Sequence, residues 1–285
     1  RFGLPEHYLD VIASVYSDRR FLVRECGVES AVKDQCSGVC QGCPLSPFLF
    51  GIVMTVLMTD AYSYLPAAVS EACQANRLYD ILYADDTLLL GVNARHVDAL
   101  SAAVESTGAQ YGLTLHWGKT QALSYGTDVK LRRPDGTDIE PSESLIYLGA
   151  LIQSSGRIDS ELSRRLGMAS KEFFKLQKLW GHSAVSKKQK LTCFHSFVVT
   201  GLLYGLSTLW LAQSQRRRLD GFYARCLRRI YRIPAAYVSR VSNRIVFERA
   251  GVAPLTQQLL QQQLVLMGRV ARSPAGDPLR RDTFV

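Results

Sequence analysis

Apolar residues recur along the chain with two different spacings, and these spacings predict its elements. Helical spacing over 5–24 predicts one helix, and a solid apolar run over 48–61, entered through prolines, predicts another. Two strand-like runs, LYDILY and TLLLG, lie on either side of Ala84-Asp85-Asp86. They predict a β-hairpin over 78–92 with the acidic residues at its bend.

The stretch after this hairpin mixes element types. Residues 97–112 have amphipathic helical spacing that stops at a glycine. Residues 113–124 predict a strand pair, or a strand with a turn at Gly118. A polar loop is expected over 129–144 and a short strand over 145–152. The first half is therefore expected to combine helices with antiparallel strands.

From Asp159, a predicted N-cap, the pattern is helical and stays so from 187 to 272. One face of the first of these helices is apolar, with Leu162, Leu166, Ala169, Phe173, Leu176 and Trp180. The opposite face is a basic ridge formed by Arg164, Lys171, Lys175 and Lys178. The fold class predicted for the whole chain is α+β, with an all-helical second half.

The net charge of +9 is divided unevenly over the 285 residues. Residues 1–142 hold 11 basic and 17 acidic residues, a net charge of −6, whereas 143–285 hold 23 and 8, a net charge of +15. This asymmetry suggests a cation site in the first half and a polyanion partner for the second. A second basic cluster falls on one predicted helix: Arg216, Arg217, Arg218, Arg225, Arg228, Arg229 and Arg232. Each basic surface is open to two interpretations, nucleic-acid contact or an ordinary solvated helix face.

The cysteines and the apolar stretches argue against a secreted disulfide scaffold, a zinc-finger site and a membrane protein. Seven irregularly spaced cysteines argue against a secreted disulfide scaffold and favour an intracellular, reducing compartment. Cys36, Cys40 and Cys43 lack a fourth ligand at finger spacing, which favours loop thiols over a zinc site. Uncharged stretches over 35–59 and 196–215 contain interrupting polar residues, so we interpret them as core helices and expect no membrane partner.

The Asp85-Asp86 pair is the most informative candidate site. Two adjacent carboxylates at a tight bend repel each other unless cations are present, and Mg²⁺ prefers such ligands together with substrate phosphates. Aspartate is also a common turn residue, so the pair by itself is a weak signal.

Three further blocks surround the Tyr83–Asp86 tetrapeptide (YADD). They are QGCPLSPFLF at 41–50, GLTL at 112–115 followed by Lys119-Thr120, and Tyr147-Leu148-Gly149. In this order and spacing, the four blocks resemble the reverse transcriptases of non-LTR (LINE-type) retrotransposons. Weaker blocks extend the resemblance over nearly the whole chain: Leu203-Tyr204-Gly205 with Thr208 and Trp210, Leu227–Ile230, Ser242-Asn243 and Pro254-Leu255.

The resemblance implies three regions. Residues 1–152 would be a partial polymerase palm whose antiparallel sheet contains the YADD hairpin, 153–215 a helical thumb, and 216–285 a basic helical connector. It implies a template- and nucleotide-binding set at the palm: Gln41, Gly42, Pro44, Ser46, Tyr83 and Ala84. It implies nucleic-acid backbone contacts in the helical regions: Arg164, Lys171, Lys175, Lys178, Arg228 and Arg229.

The same resemblance implies the chemistry. Asp85 would be a ligand of two catalytic Mg²⁺ ions, with Asp86 as its acidic neighbour. Lys119 would stand near the leaving pyrophosphate as a general acid, or else be an exposed turn lysine. The implied activity is RNA-directed DNA synthesis, in which a deoxynucleoside triphosphate is joined to a primer 3′-hydroxyl. The implied partners are an RNA template and a DNA primer or target, in the nucleus or cytoplasm.

One member of the family's metal-binding set is not found in the chain. The family has another aspartate in an F-D-x-x-x-A-F-D pattern upstream of the QG block, whereas residues 2–16 match the helix that follows it. We therefore expect the chain to be an excerpt with little polymerase activity by itself. The alternative is a catalytically dead, reverse-transcriptase-derived module that binds RNA or DNA.

Overall fold

The computed structural model describes residues 3–127 and 130–283 and has the α+β composition predicted from the sequence. The chain divides into two compact units, 1–117 and 118–285. Each unit has its own hydrophobic core. The functional boundaries at 152 and 215 stay predictions.

The first unit surrounds a long hairpin with helices. Its helices are α1 (Glu6–Tyr16), α2 (Ser46–Ser63), α3 (Ala67–Gln74) and α4 (Ala94–Gln110). Its strands are β1 (Arg20–Phe21), β2 (Arg24–Glu25), β3 (Val28–Glu29), β4 (Lys33–Asp34), β5 (Leu78–Tyr83) and β6 (Asp86–Gly91). They pair antiparallel as β1–β4, β2–β3 and β5–β6, and each of these three pairs is a separate two-stranded sheet.

The core of the first unit lies where α2, α3 and α4 meet the base of the β5–β6 hairpin. Its buried residues are Met54, Leu57, Met58, Ala61, Val69, Ala72, Leu78, Leu100, Ala103 and Val104. A Cβ at Gly91 would lie 2.7 Å from Val97 Cγ2 and 2.9 Å from Leu78 Cδ1. Glycine at that position therefore lets α4 approach the hairpin closely, which fixes the hairpin base.

Helix α2 confirms the predicted apolar helix and is long and apolar enough to cross a membrane, with a mean hydropathy of 1.2. That criterion carries little weight alone, because the core helix of a folded domain can meet it too. Here Leu57 and Ala61 of α2 pack in the core, whereas Phe48 is 72% exposed.

Two predictions for the first half are wrong. The helix predicted over 5–24 ends at Tyr16, because Asp18 takes a left-handed conformation (φ 48°) and the chain then forms the β1–β4 arm. The strand pair predicted over 113–124 does not form; Ala122 makes only an isolated bridge with Pro141. Leu113 and Leu115 instead pack against the core, which explains their apolar character.

The second unit begins with two short hairpins and continues as helices. Its strands are β7 (Leu131–Arg132), β8 (Asp138–Ile139), β9 (Ser144–Tyr147) and β10 (Ala150–Gln153). Its helices are α5 (Asp159–Lys175), α6 (Gln177–Gly181), α7 (Lys187–Phe194), α8 (Thr200–Leu203), α9 (Gln213–Tyr231), α10 (Ala236–Ser239), α11 (Asn243–Ala250), α12 (Leu255–Arg272) and α13 (Pro278–Thr283). A π-helical turn over His195–Val199 joins α7 to α8, and a 3₁₀ turn over Leu206–Thr208 follows α8.

The predicted apolar stripe of α5 faces the helical core. Leu162, Ala169, Phe173 and Trp180 are buried, and Phe173 stacks on Trp180 with ring centroids 5.0 Å apart. Helix α9 contributes an apolar face to the same core, which consists of the buried residues Leu219, Phe222, Cys226 and Ile230.

Buried polar groups in this helical core have shifted pKa values. Tyr223 is fully buried and its hydroxyl lies 2.8 Å from His195 Nε2. Burial raises the pKa of Tyr223 to about 12 and that of the Cys226 thiol to about 12, and it lowers the pKa of His195. These three groups are therefore uncharged near neutral pH and belong to the packing of the core.

Three smaller predictions for the second half are corrected. Asp159 is the first residue of α5 and Ile158 its N-cap. The strand predicted over 145–152 is the β9–β10 hairpin. Trp210 lies in the stretch 196–215 that was interpreted as core helices, yet it is 71% exposed, and the Arg216 Cζ atom lies over its ring, 5.1 Å from the ring centroid.

Candidate functional site

The β5–β6 hairpin carries the acidic pair away from the core of the first unit. Its strands pair from Leu78 with Gly91 to Tyr83 with Asp86, which leaves Ala84 and Asp85 as a two-residue turn. Leu78 is 1% exposed, whereas Tyr83 is 62% exposed and both aspartates are exposed. A buried base and an exposed tip leave the carboxylates accessible to ligands from solution.

The turn at the tip is strained. Ala84 has a φ of 52°, in the left-handed region that an L-residue with a Cβ adopts at a cost of roughly 1–2 kcal/mol. Such strain persists where the surrounding structure determines the conformation, and it concentrates at functional sites. Here, pairing on both sides of the turn imposes it.

Replacing Ala84 tests this strain. We expect Ala84→Gly to raise the free energy of unfolding by a few tenths of a kcal/mol, because glycine has no Cβ to clash. Ala84→Val should lower it by at least about 1 kcal/mol, because a β-branched residue tolerates positive φ poorly. Urea denaturation of the two variants measures both changes. Equal stability of the two would contradict the observed turn.

An acidic residue within the hairpin anchors it to α2. The Tyr62 hydroxyl donates a hydrogen bond to Asp80 Oδ1. Burial raises the pKa of Tyr62, and the bond to the Asp80 carboxylate raises it further, so the phenol stays protonated as a donor. This pair was not predicted from the sequence. Its signal was a lone carboxylate in the otherwise apolar LYDILY strand.

The residues at the hairpin tip suit a hard divalent cation. Asp85 and Asp86 supply carboxylate oxygens, the ligand type that Mg²⁺ prefers. Within residues 3–127 and 130–283, no three His, Cys, Asp or Glu side chains converge as a metal site. The described residues thus place two acidic side chains at the tip, and among them Cys36, Cys40 and Cys43 are not part of a group of three or more potential ligands.

The QG block lies in the loop before α2 and at its first turn. Gln41, Gly42 and Pro44 are exposed, and Gly42 has a φ of +87° that favours glycine. Ser46 is 6% exposed, and its hydroxyl lies 3.0 Å from the Tyr16 hydroxyl. Ser46 therefore joins α2 to α1, and its role in binding template or nucleotide stays a prediction.

The Tyr147-Leu148-Gly149 block forms the turn of the β9–β10 hairpin. Leu148 (φ 46°) and Gly149 (φ 77°) are both left-handed, which defines a type I′ turn. Arg164 and Arg165 both donate to the Gly149 carbonyl, at 2.6 and 2.5 Å, and the Tyr204 hydroxyl donates to the Leu148 carbonyl at 2.9 Å. Helix α5 and the segment after α8 thus hold this turn in place.

Glu161 holds the two arginines of this turn. Its side chain is 4% exposed and accepts hydrogen bonds from Arg164 Nε and Arg165 Nε, each at 2.7 Å, and from the Leu151 amide at 3.2 Å. Burial raises the pKa of Glu161, but these bonds outweigh it, so the net shift is downward. The sequence carries a signal for this group, because Glu161 precedes Arg164 by three residues and Arg165 by four on a predicted helix.

The lowered pKa of Glu161 predicts a pH dependence of stability. A carboxyl whose pKa falls on folding stabilises the fold above its ordinary pKa of 4.5, and this stabilisation is lost as the pH drops through the lowered value. Melting temperatures measured from about pH 7 down to about pH 3 should therefore fall more steeply for the wild type than for Glu161→Gln. Parallel curves would show that Glu161 is not ionised in the fold.

The basic residues predicted to contact nucleic acid fall into two groups. Lys171, Lys178 and Arg229 are exposed on the second unit, and Lys175 is exposed but paired with Glu172 at 2.7 Å. Arg164 is held by Glu161 and by the Gly149 carbonyl, so it supports the turn described above.

Arg228 differs from these residues in being mostly buried. It is 7% exposed and donates to the carbonyls of Pro234 (3.1 Å) and Val241 (2.6 Å). It therefore braces the segment after α9, and its contact with nucleic acid stays a prediction. Lys119, the predicted general acid, is exposed in the second unit, in the irregular segment that precedes β7.

Comparison with known proteins agrees with these blocks. The family described as reverse transcriptase (RNA-dependent DNA polymerase) matches residues 1–152, more than half of the chain. The chain is also 26% identical over 250 residues to the retrovirus-related Pol polyprotein from type-1 retrotransposable element R2 of Popillia japonica. That match covers 81% of this chain and 38% of the relative, so the chain spans well under half of the relative's length. The chain thus belongs to the reverse transcriptase family.

Proposed function

We propose that the chain carries part of the polymerase site and the helical thumb and connector of a non-LTR retrotransposon reverse transcriptase. The exposed Asp85-Asp86 pair supports this best, because a buried hairpin base and the Tyr62–Asp80 bond hold it at a strained, accessible turn. The substrates would be a deoxynucleoside triphosphate and a DNA primer on an RNA template. The free state of all seven cysteines is compatible with an intracellular location, in the nucleus or cytoplasm.

In this proposal each residue has a defined task. Asp85, supported by Asp86, would hold Mg²⁺, which when bound supplies positive charge against the triphosphate. Tyr83 and Ala84 would line the primer end, and Gln41, Gly42 and Pro44 the template base and nucleotide. The primer 3′ oxygen forms a bond to the α-phosphorus as the bond to pyrophosphate breaks.

Lys119 would protonate the departing pyrophosphate. Its exposure on the second unit leaves its ammonium group accessible to a phosphate. A general acid of this kind contributes typically about 10²–10⁴-fold to a rate. The exposed lysines Lys171, Lys175 and Lys178 would contact the backbone of the template–primer duplex, without reading its sequence.

We further propose that the 285 residues alone synthesise little DNA. A two-ion site needs carboxylates beyond the pair at the hairpin tip, and the described residues bring no third acidic side chain to them. The additional carboxylate would come from elsewhere in a longer polypeptide, as the 38% coverage of the R2 relative allows.

Primer extension tests this function. The 285-residue chain and the longest reading frame that contains it are each given an RNA template, a DNA primer, deoxynucleotides and Mg²⁺. We expect synthesis from the longer polypeptide and almost none from the chain alone. Efficient synthesis by the chain alone would contradict the partial site. Tight template binding without synthesis by the longer polypeptide would favour a catalytically dead binding module.

A further inference from the structure

A groove that the function above does not use runs along α9 in the second unit. It consists of two cavities of about 320 and 360 Å³ that share Gln177, Trp180 and Arg229. One cavity extends to Phe174 and Arg225, and the other to Arg232. We call this the α6–α9 groove, since α6 and the end of α5 form one wall and α9 the other.

The α9 wall of this groove is positively charged. Arg225 and Arg229 are exposed, one helical turn apart, and no hydrogen bond or ion pair to either guanidinium is found within the described part of the chain. Arg228, which lies between them in sequence, is buried and bonded to the Pro234 and Val241 carbonyls. Like charges spaced four residues apart destabilise a helix, so an anion between Arg225 and Arg229 would relieve a repulsion that the fold leaves uncompensated.

The opposite wall offers an aromatic ring. Phe174 is 66% exposed at the rim of the groove, although its neighbour Phe173 is buried and stacked on Trp180. An exposed phenyl ring beside two guanidinium groups matches how proteins bind unpaired nucleotides, with the base stacked and the phosphates on basic side chains. The Gln177 amide, which lines both cavities, can donate to and accept from a base edge.

We infer that the α6–α9 groove binds single-stranded RNA or DNA, with a base against Phe174 and neighbouring phosphates on Arg225 and Arg229. This inference rests on the proposed function only in taking nucleic acid as the partner. A duplex fits the groove poorly, because its bases are stacked inside and only its backbone could reach the arginines. An acidic peptide would use the arginines but leave the exposed ring without a role.

Fluorescence anisotropy with the 285-residue chain tests the inference. The probes are labelled oligo(dT) and oligo(rU) of about 12 nucleotides and a duplex of equal length. The variants are Phe174→Leu and the double variant Arg225→Gln/Arg229→Gln. Their matched controls are Phe197→Leu, at a phenyl ring 64% exposed elsewhere in the unit, and the double variant Arg240→Gln/Arg249→Gln, at two exposed arginines outside the groove and outside both basic surfaces. Because all these positions are exposed, melting temperatures should stay close to that of the wild type.

Two results are expected. Phe174→Leu should weaken single-strand binding at least about fivefold and leave duplex binding unchanged. For single-strand binding we also measure the slope of log K against log salt concentration. The double arginine variant should reduce the magnitude of this slope by about 1.4, because each phosphate contact contributes about 0.7. The controls should bind as the wild type does.

Three results would overturn the inference. They are unchanged single-strand affinity in Phe174→Leu, equal weakening by its control Phe197→Leu, and displacement of the oligonucleotide by a poly-glutamate peptide at equal charge concentration. If duplex template–primer still binds in any of these cases, the groove inference fails while the proposed function stands. A failure of primer extension alone does not bear on the groove.

Discussion

Asp85→Asn, made in the longest reading frame that contains this chain, is expected to reduce primer extension at least about 100-fold. Asparagine keeps the size of the side chain but removes the negative charge that would hold Mg²⁺. The charge stabilisation from such an ion is worth several kcal/mol, and each 1.36 kcal/mol is a factor of ten in rate. Because Asp85 is exposed at the hairpin tip, the substitution should leave folding and RNA binding unchanged.

The control for this variant is Asp10→Asn, at an exposed carboxylate of α1 remote in sequence from the hairpin. It should extend primers at the wild-type rate. Asp86→Asn should show an intermediate loss, as expected for a supporting acid. Full activity of Asp85→Asn would exclude the hairpin as the metal site, whereas loss of RNA binding would indicate that the substitution disturbs the fold.

Arg165→Met is expected to have the largest effect on stability, lowering the free energy of unfolding by about 3–5 kcal/mol. The Arg165 and Glu161 side chains are only 5% and 4% exposed, so removing the guanidinium leaves a buried carboxylate short of a partner. The Gly149 carbonyl loses a donor as well. Urea denaturation followed by the fluorescence of the buried Trp180 measures the change.

Two further variants separate the buried network from ordinary surface charge. Lys175→Met removes an exposed ion pair with Glu172 and should change stability by at most about 1 kcal/mol. The double variant Glu161→Leu/Arg165→Met should cost less than the sum of its single variants, because it leaves no uncompensated charge in that pair. A loss below about 1 kcal/mol for Arg165→Met alone would show that water reaches the site.

Local periodicity was enough to predict several elements, including the hairpin that carries the candidate metal site. The YADD hairpin, helix α2 and the apolar stripe of α5 all form where alternation or spacings of three and four placed them. Such a pattern indicates which face of a helix or strand is buried, and it depends only on residues within that one element. The family was likewise recognisable, because its motif blocks are contiguous in sequence.

Residues whose roles depend on distant segments could not be predicted in this way. Arg228 and Arg229 are adjacent and identical in type, yet only Arg228 is buried, because the chain after α9 folds back over it. The burial of Ser46 depends on Tyr16, and the left-handed turn at Asp18 ends a helix whose apolar spacing continues beyond it. In each case the deciding contact lies outside the window in which the pattern is visible.

The hydrogen bonds that hold the Leu148-Gly149 turn in place have a consequence for local unfolding. A two-stranded hairpin of four residues per strand is not expected to be stable alone. The two turn carbonyls of this hairpin accept hydrogen bonds from Arg164, Arg165 and Tyr204. The Leu151 amide donates to Glu161. The hairpin therefore cannot open without breaking buried contacts of α5. The hairpin and α5 therefore form one cooperative folding unit, and amide exchange in the short strands should be as slow as in the helix.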